Sequence, residues 1–152
     1  MINAEVLIES TRWKKIVRNP KRQIKDILDK FPTRYKFIKK KVSITILLTN
    51  NKNIKLLNKK FRKKDQPTDI LSFPFFEKKD LKKMYKKKIF YLGDIIISHQ
   101  EFLKKNKNDF KNGFAKIFIH GFLHLLSFDH KSDKDFKKMN TIENKIFQKV
   151  KG

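Results

Sequence analysis

The chain has 152 residues, the size of one domain, and can bury about 70% of the surface of its unfolded form. Its 39 Lys and Arg against 15 Asp and Glu give a net charge of +24, which favours a polyanionic partner such as nucleic acid. The absence of Cys excludes disulfides, thiolate metal ligands and a Cys nucleophile. We see no signal peptide and no long apolar run, and we expect a cytoplasmic protein with no membrane partner.

The composition offers a second explanation for the charge. Only 5 of the basic residues are Arg, and the chain is rich in Lys, Asn, Ile and Phe. AT-rich codons would produce the same profile, so part of the excess charge can be compositional. The charge alone therefore indicates a class of partner and identifies no particular site.

Strands and helices alternate in the predicted order β-α-β-α-β-β-α-α. Apolar residues recur with a period of two in the predicted strands and at helical spacing in the predicted helices. Strands are predicted over 2–10, 42–48, 70–75 and 91–98, helices over 23–31, 51–62, 110–126 and 133–150, and a basic loop or short helix over 77–88. This order predicts a single α+β domain over residues 1–152, with a small mixed sheet of about four strands packed against about five helices.

Three of the 4 histidines lie in one short stretch, HGFLHLLSFDH, which covers residues 120–130. Positions i and i+4 of a helix share one face, so His120 and His124 are expected to point at one ion. The helical pattern weakens near Ser127, and a turn there leaves room for His130 to reach the same ion. Three imidazoles with an open fourth position are typical of catalytic zinc sites, in which the pKa of bound water falls to about 7.

We therefore predict one Zn²⁺ per chain, held by His120, His124 and His130. A set of structural histidines is the alternative, but burying three neutral imidazoles without partners would be costly. His99, the fourth histidine, lies outside the stretch and is expected to be structural or exposed.

Position 121 separates this stretch from the zinc peptidases. Their motif H-E-x-x-H carries a Glu after the first His, and that Glu is the general base. This chain has Gly121 there. The standard peptidase mechanism would lack its base, which argues against proteolysis.

A second informative segment, LNKKFRKKDQPTDILSFPF, covers residues 57–75. Arg62 carries a planar guanidinium suited to holding phosphate, and the plainer interpretation is a surface Arg at the end of a basic helix. Asp69 and Ser72 flank a strand end, where such residues either orient a ligand or, more often, complete a turn.

Together these segments resemble the YbeY family, the bacterial zinc-dependent endoribonucleases of ribosomal RNA maturation. The family motif H-G-x-L-H-L-x-G-Y-D-H aligns in register with residues 120–130. The motif L-N-x-x-[FY]-R-x-x-D-x-P-T-D-V-L-S-F-P aligns with 57–74, and a third block, L-G-D-I, matches 92–95. The chain departs from the family at Ser127, where Gly is usual and could adopt a positive φ, and at Phe128, where Tyr is usual.

The resemblance implies roles for individual residues. His120, His124 and His130 would bind zinc, and Arg62 would lie near the metal and act in catalysis by holding a phosphate. The implied partner is single-stranded RNA, chiefly ribosomal RNA in ribosomal particles, with no DNA specificity. Asp129 is either a partner that fixes the tautomer of an imidazole or a turn-forming residue.

The leading hypothesis is a single-strand-specific, zinc-dependent endoribonuclease that acts in maturation of the 3′ end of 16S ribosomal RNA and in ribosome quality control. One alternative is a zinc hydrolase of another class, such as a peptidase or amidase. The other is a ribosome-associated RNA-binding protein in which zinc is structural.

Overall fold

The computed structural model describes residues 1–152. Its strands are β1 (Ile2–Ile8), β2 (Lys41–Thr49), β3 (Ile70–Pro74) and β4 (Ile89–Ser98). Its helices are α1 (Trp13–Ile16), α2 (Pro20–Asp29), α3 (Asn51–Arg62), α4 (Leu81–Lys86), α5 (His99–Lys105), α6 (Phe110–Leu125) and α7 (Asp133–Val150). Short 3-10 turns cover Thr33–Tyr35 and Lys78–Asp80.

The four strands form one mixed sheet in the order β1-β2-β4-β3. Strands β1, β2 and β4 are parallel, and β3 is an edge strand that pairs antiparallel with β4. The predicted α+β fold with a four-stranded mixed sheet is confirmed. The short helix considered for residues 77–88 is present as α4. The helices still outnumber the prediction, in part because α1 has 4 residues, too few to show an apolar repeat over several turns.

The main core lies on one face of the sheet, beneath α2, α6 and α7. Alternate residues of the central strands, among them Ile44, Ile46, Ile95 and Ile97, are buried there. Helix α6 is apolar on nearly all sides and therefore lies in the middle of this layer. None of the helices combines the length and apolar character needed to cross a membrane.

The opposite face of the sheet is only partly covered. Ile54 of α3 packs on Leu71 and Ile96 in a smaller core. Beyond the end of α3, the side chains of Tyr91 and Asp94 on this face are half-buried. The face therefore has one covered half and one accessible half.

Side-chain caps explain where four of the helices begin. Asn19, Asn50, Asp109 and Ser132 each accept a hydrogen bond from the backbone N–H three residues later. Ser132 Oγ lies 3.1 Å from Asp135 N. Because the cap is local chemistry, the predicted start of α7 agrees with the structure.

Gly93 lies where the pairing of β2 with β4 becomes irregular, next to Ser43 and Ile44. Its φ is 147°, and a Cβ there would collide with the backbone carbonyl oxygen of Phe73. Only glycine fits this bulge, which explains the glycine in the block L-G-D-I.

Candidate metal centre and cleft

The three clustered histidines lie at the C-terminal end of α6 and in the loop that follows. The ring centroids of His120 and His124 are 4.6 Å apart. The ring of His130 lies 5.8 Å from that of His120 and 5.1 Å from that of His124. One ring nitrogen of each residue lies within 4.8 Å of the other two. The fold thus brings together the three residues that the sequence nominated.

The loop returns His130 to the helix end because α6 finishes in a Schellman motif. Ser127 N–H donates to the carbonyl of His124 at 2.9 Å, and Phe128 N–H donates to that of Leu123 at 3.1 Å. Ser127 has φ of 68°, the left-handed conformation that the motif requires and that Gly usually supplies. The serine therefore keeps the turn, at a conformational cost of about 1 kcal/mol.

Hydrogen bonds determine which nitrogen each helical imidazole presents. His120 Nδ1 donates to Glu143 Oε1 of α7 at 2.8 Å, and His124 Nδ1 donates to the carbonyl of Phe128 at 2.9 Å. Carboxylates and carbonyls only accept, so in the neutral rings both protons lie on Nδ1. The two Nε2 atoms then face each other with their lone pairs, 3.1 Å apart.

Two facing lone pairs repel each other unless a cation lies between them. Nitrogens that are each about 2.0–2.1 Å from a tetrahedral zinc ion are about 3.4 Å apart, close to the 3.1 Å found here. Burial lowers the pKa of His124, and the neighbouring His120 and His130 lower it further. A lowered pKa favours the neutral ring that binds metal, so the donor set fits a divalent ion.

Glu143 is a site residue that the sequence reasoning missed. It lies in α7, far along the chain from His120, and belongs to no motif. The sequence contains only a weak indication of this role. Glu143 is an acidic residue next to Ile142, on the apolar side of an amphipathic helix. Asp129 Oδ1 instead accepts from the backbone N–H of His130 at 2.7 Å, so the role of Asp129 toward an imidazole stays a prediction.

An open cleft of about 660 Å³ lies in front of the histidines, between the edge strand β3, the end of α3 and the loop after α6. Arg62 lines this cleft together with the three histidines. Arg62 Nη2 donates to the carbonyl of Ser72 at 3.0 Å, and the guanidinium carbon lies 5.7 Å from the centre of the Phe73 ring. The predicted catalytic arginine and the predicted metal ligands therefore share one cavity.

Gly121 faces the sheet. Its carbonyl accepts from Ser72 Oγ at 3.2 Å, and a Cβ on it would lie 2.7 Å from Ile70 Cδ1. A Glu at this position would collide with the packed side chains of Ile70, Ser72 and Ile95. The structure therefore gives a steric reason why this position carries Gly rather than the Glu of the peptidase motif.

The remaining residues singled out in the sequence have structural contacts. Ser72 is buried against Gly121, and the Asp69 carboxylate, half-buried, pairs with Lys105 at 3.0 Å. His99 packs edge-on against Trp13, with ring centroids 6.3 Å apart, and its Nδ1 is buried without a hydrogen-bond partner. None of these three side chains adds a metal ligand.

Comparisons with known proteins agree with one another. Residues 7–151 match the family model described as Endoribonuclease YbeY. The protein of that name from Pelagibacter ubique is 53% identical over 155 residues, covering 99% of this chain and 97% of the relative. The one from Ehrlichia canis is 32% identical, covering 96% and 92%. The solution structure of TM1509 from Thermotoga maritima is 28% identical, with a TM-score of 0.58 over 97% of this chain and 89% of that chain.

Proposed function

Because this chain belongs to the YbeY family of endoribonucleases, we propose that it is a zinc-dependent endoribonuclease specific for single-stranded RNA. One observation carries the metal part of the proposal: the facing Nε2 lone pairs of His120 and His124, 3.1 Å apart. The guanidinium of Arg62 in the same cleft supports a phosphate-containing substrate.

The residues of the cleft have different roles in the proposed reaction. His120, His124 and His130 would hold one Zn²⁺, and the open cleft beside them leaves room for a water molecule or a phosphate. Bound zinc supplies Lewis-acid polarisation of a phosphoryl oxygen and activation of a water molecule. Glu143 and the carbonyl of Phe128 keep two of the imidazoles in the tautomer that binds metal.

Arg62 holds the phosphate and neutralises the charge that develops on it during cleavage. Only one of its N–H groups is engaged, with the carbonyl of Ser72, so the others remain for phosphate oxygens. The contact with the Phe73 ring further limits the motion of the guanidinium.

We extend the proposal to the biological substrate, for which the support is the family and the net charge of +24. The substrate is chiefly ribosomal RNA in ribosomal particles, in the cytoplasm. The reactions are maturation of the 3′ end of 16S ribosomal RNA and ribosome quality control. The whole chain, residues 1–152, acts as one metallohydrolase domain.

Two features oppose the other hypotheses. A peptidase or amidase of the H-E-x-x-H type needs a base where Gly121 packs on the sheet. A purely structural zinc site has four protein ligands, whereas three histidines converge here beside an open cleft.

The test is cleavage of single-stranded RNA by the parent protein, with and without a chelator, and by His124→Ala, Arg62→Ala and Arg18→Ala. We expect the parent to carry about one zinc per chain and to cleave only without chelator. His124→Ala should lose both metal and activity. Arg62→Ala should keep its metal and lose about 100-fold in rate, because a charge-stabilising donor is gone.

Arg18, an exposed arginine outside the cleft lining, is the matched control, since its removal changes the net charge equally. Arg18→Ala should cleave like the parent. RNA left intact by the zinc-loaded parent, or cleavage by Arg62→Ala at the parental rate, would contradict the proposal. RNA binding without any cleavage would favour the binding protein with structural zinc.

A further inference from the structure

Exposed phenylalanines are rare in this protein. The chain has 15 Phe, and only Phe61, Phe75 and Phe136 are exposed, at 58%, 65% and 56%. Phe61 and Phe75 both lie beside β3, next to the cleft. Single exposed apolar side chains are common on protein surfaces and need no explanation. Several of them in one place form an apolar patch, and such a patch often marks a binding site.

Each of these two rings packs against a second aromatic ring. The ring of Phe61 lies 5.3 Å from that of Phe73, and the ring of Phe75 lies 5.9 Å from that of Tyr91. Phe73 packs against the smaller core. Phe75 directly follows the end of β3, and its N–H donates to the carbonyl of Leu92 at 3.0 Å, which keeps its ring beside Tyr91 of β4. Phe73 and Tyr91 lie on the face of the sheet that α3 partly covers. We call Phe61, Phe73, Phe75 and Tyr91 the aromatic row.

Arg62 connects the aromatic row with the metal cleft. Its guanidinium carbon lies 5.7 Å from the centre of the Phe73 ring, and the same side chain lines the cleft. Strand β3 lies between the row and the cleft, and no strand pairs with its outer edge. A ligand that contacts Arg62 in the cleft can therefore continue over this edge onto the row.

Charge favours a polyanion at the α3 end of the row and disfavours it at the far end. Lys60 Nζ lies 5.2 Å from the centre of the Phe61 ring, and Lys63 and Lys64 follow Arg62 as exposed residues. At the other end, the hydroxyl of Tyr91 donates to the carboxylate of Asp94. Basic residues beside exposed rings are the combination that binds single-stranded nucleic acid, with phosphates on the cations and bases on the rings.

We infer that the aromatic row is a stacking site for the bases of single-stranded RNA, on the part of the strand that extends from the metal cleft over β3. The inference rests on the proposed function and deepens it by naming a surface that binds bases. Stacking tolerates every base, because each base has a flat face, so the row selects unpaired nucleotides without reading their sequence.

The test is fluorescence anisotropy with labelled 2′-O-methyl oligoadenylate, about 12 nucleotides long to span one site, checked on a gel after each titration. We expect Phe61→Leu and Phe75→Leu to weaken binding roughly 5- to 100-fold each. Phe61→Trp keeps a flat ring and should bind like the parent. Phe136→Leu removes an equally exposed ring outside the row and should also bind like the parent.

An abasic ribose-phosphate oligomer of the same length separates stacking from charge. The parent and Phe61→Leu should bind this oligomer equally, since it offers phosphates without bases. Thermal unfolding of each variant verifies folding, and the Trp variant reports on the row even where a Leu variant is unstable.

Two outcomes would overturn the inference. Leucine variants that bind oligoadenylate like the parent, while the parent binds and cleaves RNA, would refute the stacking site and leave the proposed function intact; this is also the result if the row binds a protein. Equal loss of affinity for the abasic oligomer would assign the effect to charge. Failure of the proposed function is seen separately, as absence of cleavage by the zinc-loaded parent.

Discussion

Two clusters of polar side chains lie at the ends of secondary structure elements, and they differ in how their groups are paired. The first follows the carboxyl ends of β1, β2 and β4. There Thr49 Oγ1 donates to Glu9 Oε1 at 2.6 Å, and Ser98 Oγ donates to Asn51 Oδ1 at 2.6 Å. The second is the histidine cluster at the end of α6, where two Nε2 atoms face each other at 3.1 Å.

The difference lies in the kind of atom that meets its neighbour. In the strand-end cluster each hydroxyl meets an acceptor, so these hydrogen bonds satisfy groups that the fold has buried. In the histidine cluster an acceptor meets an acceptor, because the protons of both rings are committed to Glu143 and Phe128. A large number of polar residues therefore does not by itself identify a metal site. Two acceptor atoms that face each other do indicate one, because a bound cation would remove their repulsion.

Removal of Glu143 should give the largest effect of the following changes. Glu143→Ala takes the acceptor from His120 Nδ1, frees the ring to turn, and should weaken zinc binding about 10- to 100-fold. Competition with a chromogenic chelator measures the affinity. Glu101→Ala, which removes a carboxylate bonded to Asn51 in the strand-end cluster, is the control and should bind zinc like the parent. Parental affinity in Glu143→Ala would contradict the assigned role.

Ser98→Ala in the strand-end cluster should lower the stability of the protein without affecting zinc binding. Ser98 is fully buried, and losing its hydroxyl leaves Asn51 without a donor, so the free energy of unfolding should fall by about 1–2 kcal/mol. Urea denaturation measures the change, and the zinc content should stay parental. Ser43→Ala, an exposed serine on β2, should cost less than about 0.5 kcal/mol. Loss of zinc from Ser98→Ala would contradict the view that the strand-end cluster is structural and that only the histidine cluster binds metal.

Ser127→Gly should stabilise the protein by about 0.5–1 kcal/mol, because glycine adopts the left-handed conformation of the Schellman motif without a Cβ penalty. Urea denaturation again measures the gain. Ser127→Ala keeps the Cβ and should show no such gain. An equal gain in both variants would point to the hydroxyl rather than to the backbone.

His99 should make a small, pH-dependent contribution next to the strand-end cluster. Burial lowers its pKa below the ordinary value of 6.5, and Arg12 lowers it further. As the pH falls through 6.5, His99 takes up a proton in the unfolded chain before it does so in the folded protein. The free energy of unfolding is therefore highest above pH 6.5 and decreases between pH 6.5 and the lower pKa of the folded protein. Denaturation curves between about pH 7.5 and 5.5 should be less pH-dependent for His99→Phe; equal slopes would refute this.

The sequence determined the local features because their chemistry lies within a few residues. Helix α3 and helix α7 begin where Asn50 and Ser132 cap them, and the i, i+4 spacing alone placed His120 and His124 on one face. The family prediction is confirmed, and it rested on motifs that are continuous in the chain. Helix α1 was missed because it is too short for a periodic pattern, although its Trp13 is buried and donates to the carbonyl of Thr49.

Only the tertiary structure decided how distant segments meet. Glu143 reaches His120 because α7 packs on the main core beside α6, and Arg62 enters the cleft because α3 ends beside the edge strand β3. The aromatic row exists because α3 covers only half of its face of the sheet. Periodicity shows which residues share a face of one element, whereas the partner of that face depends on the packing free energy of the whole chain.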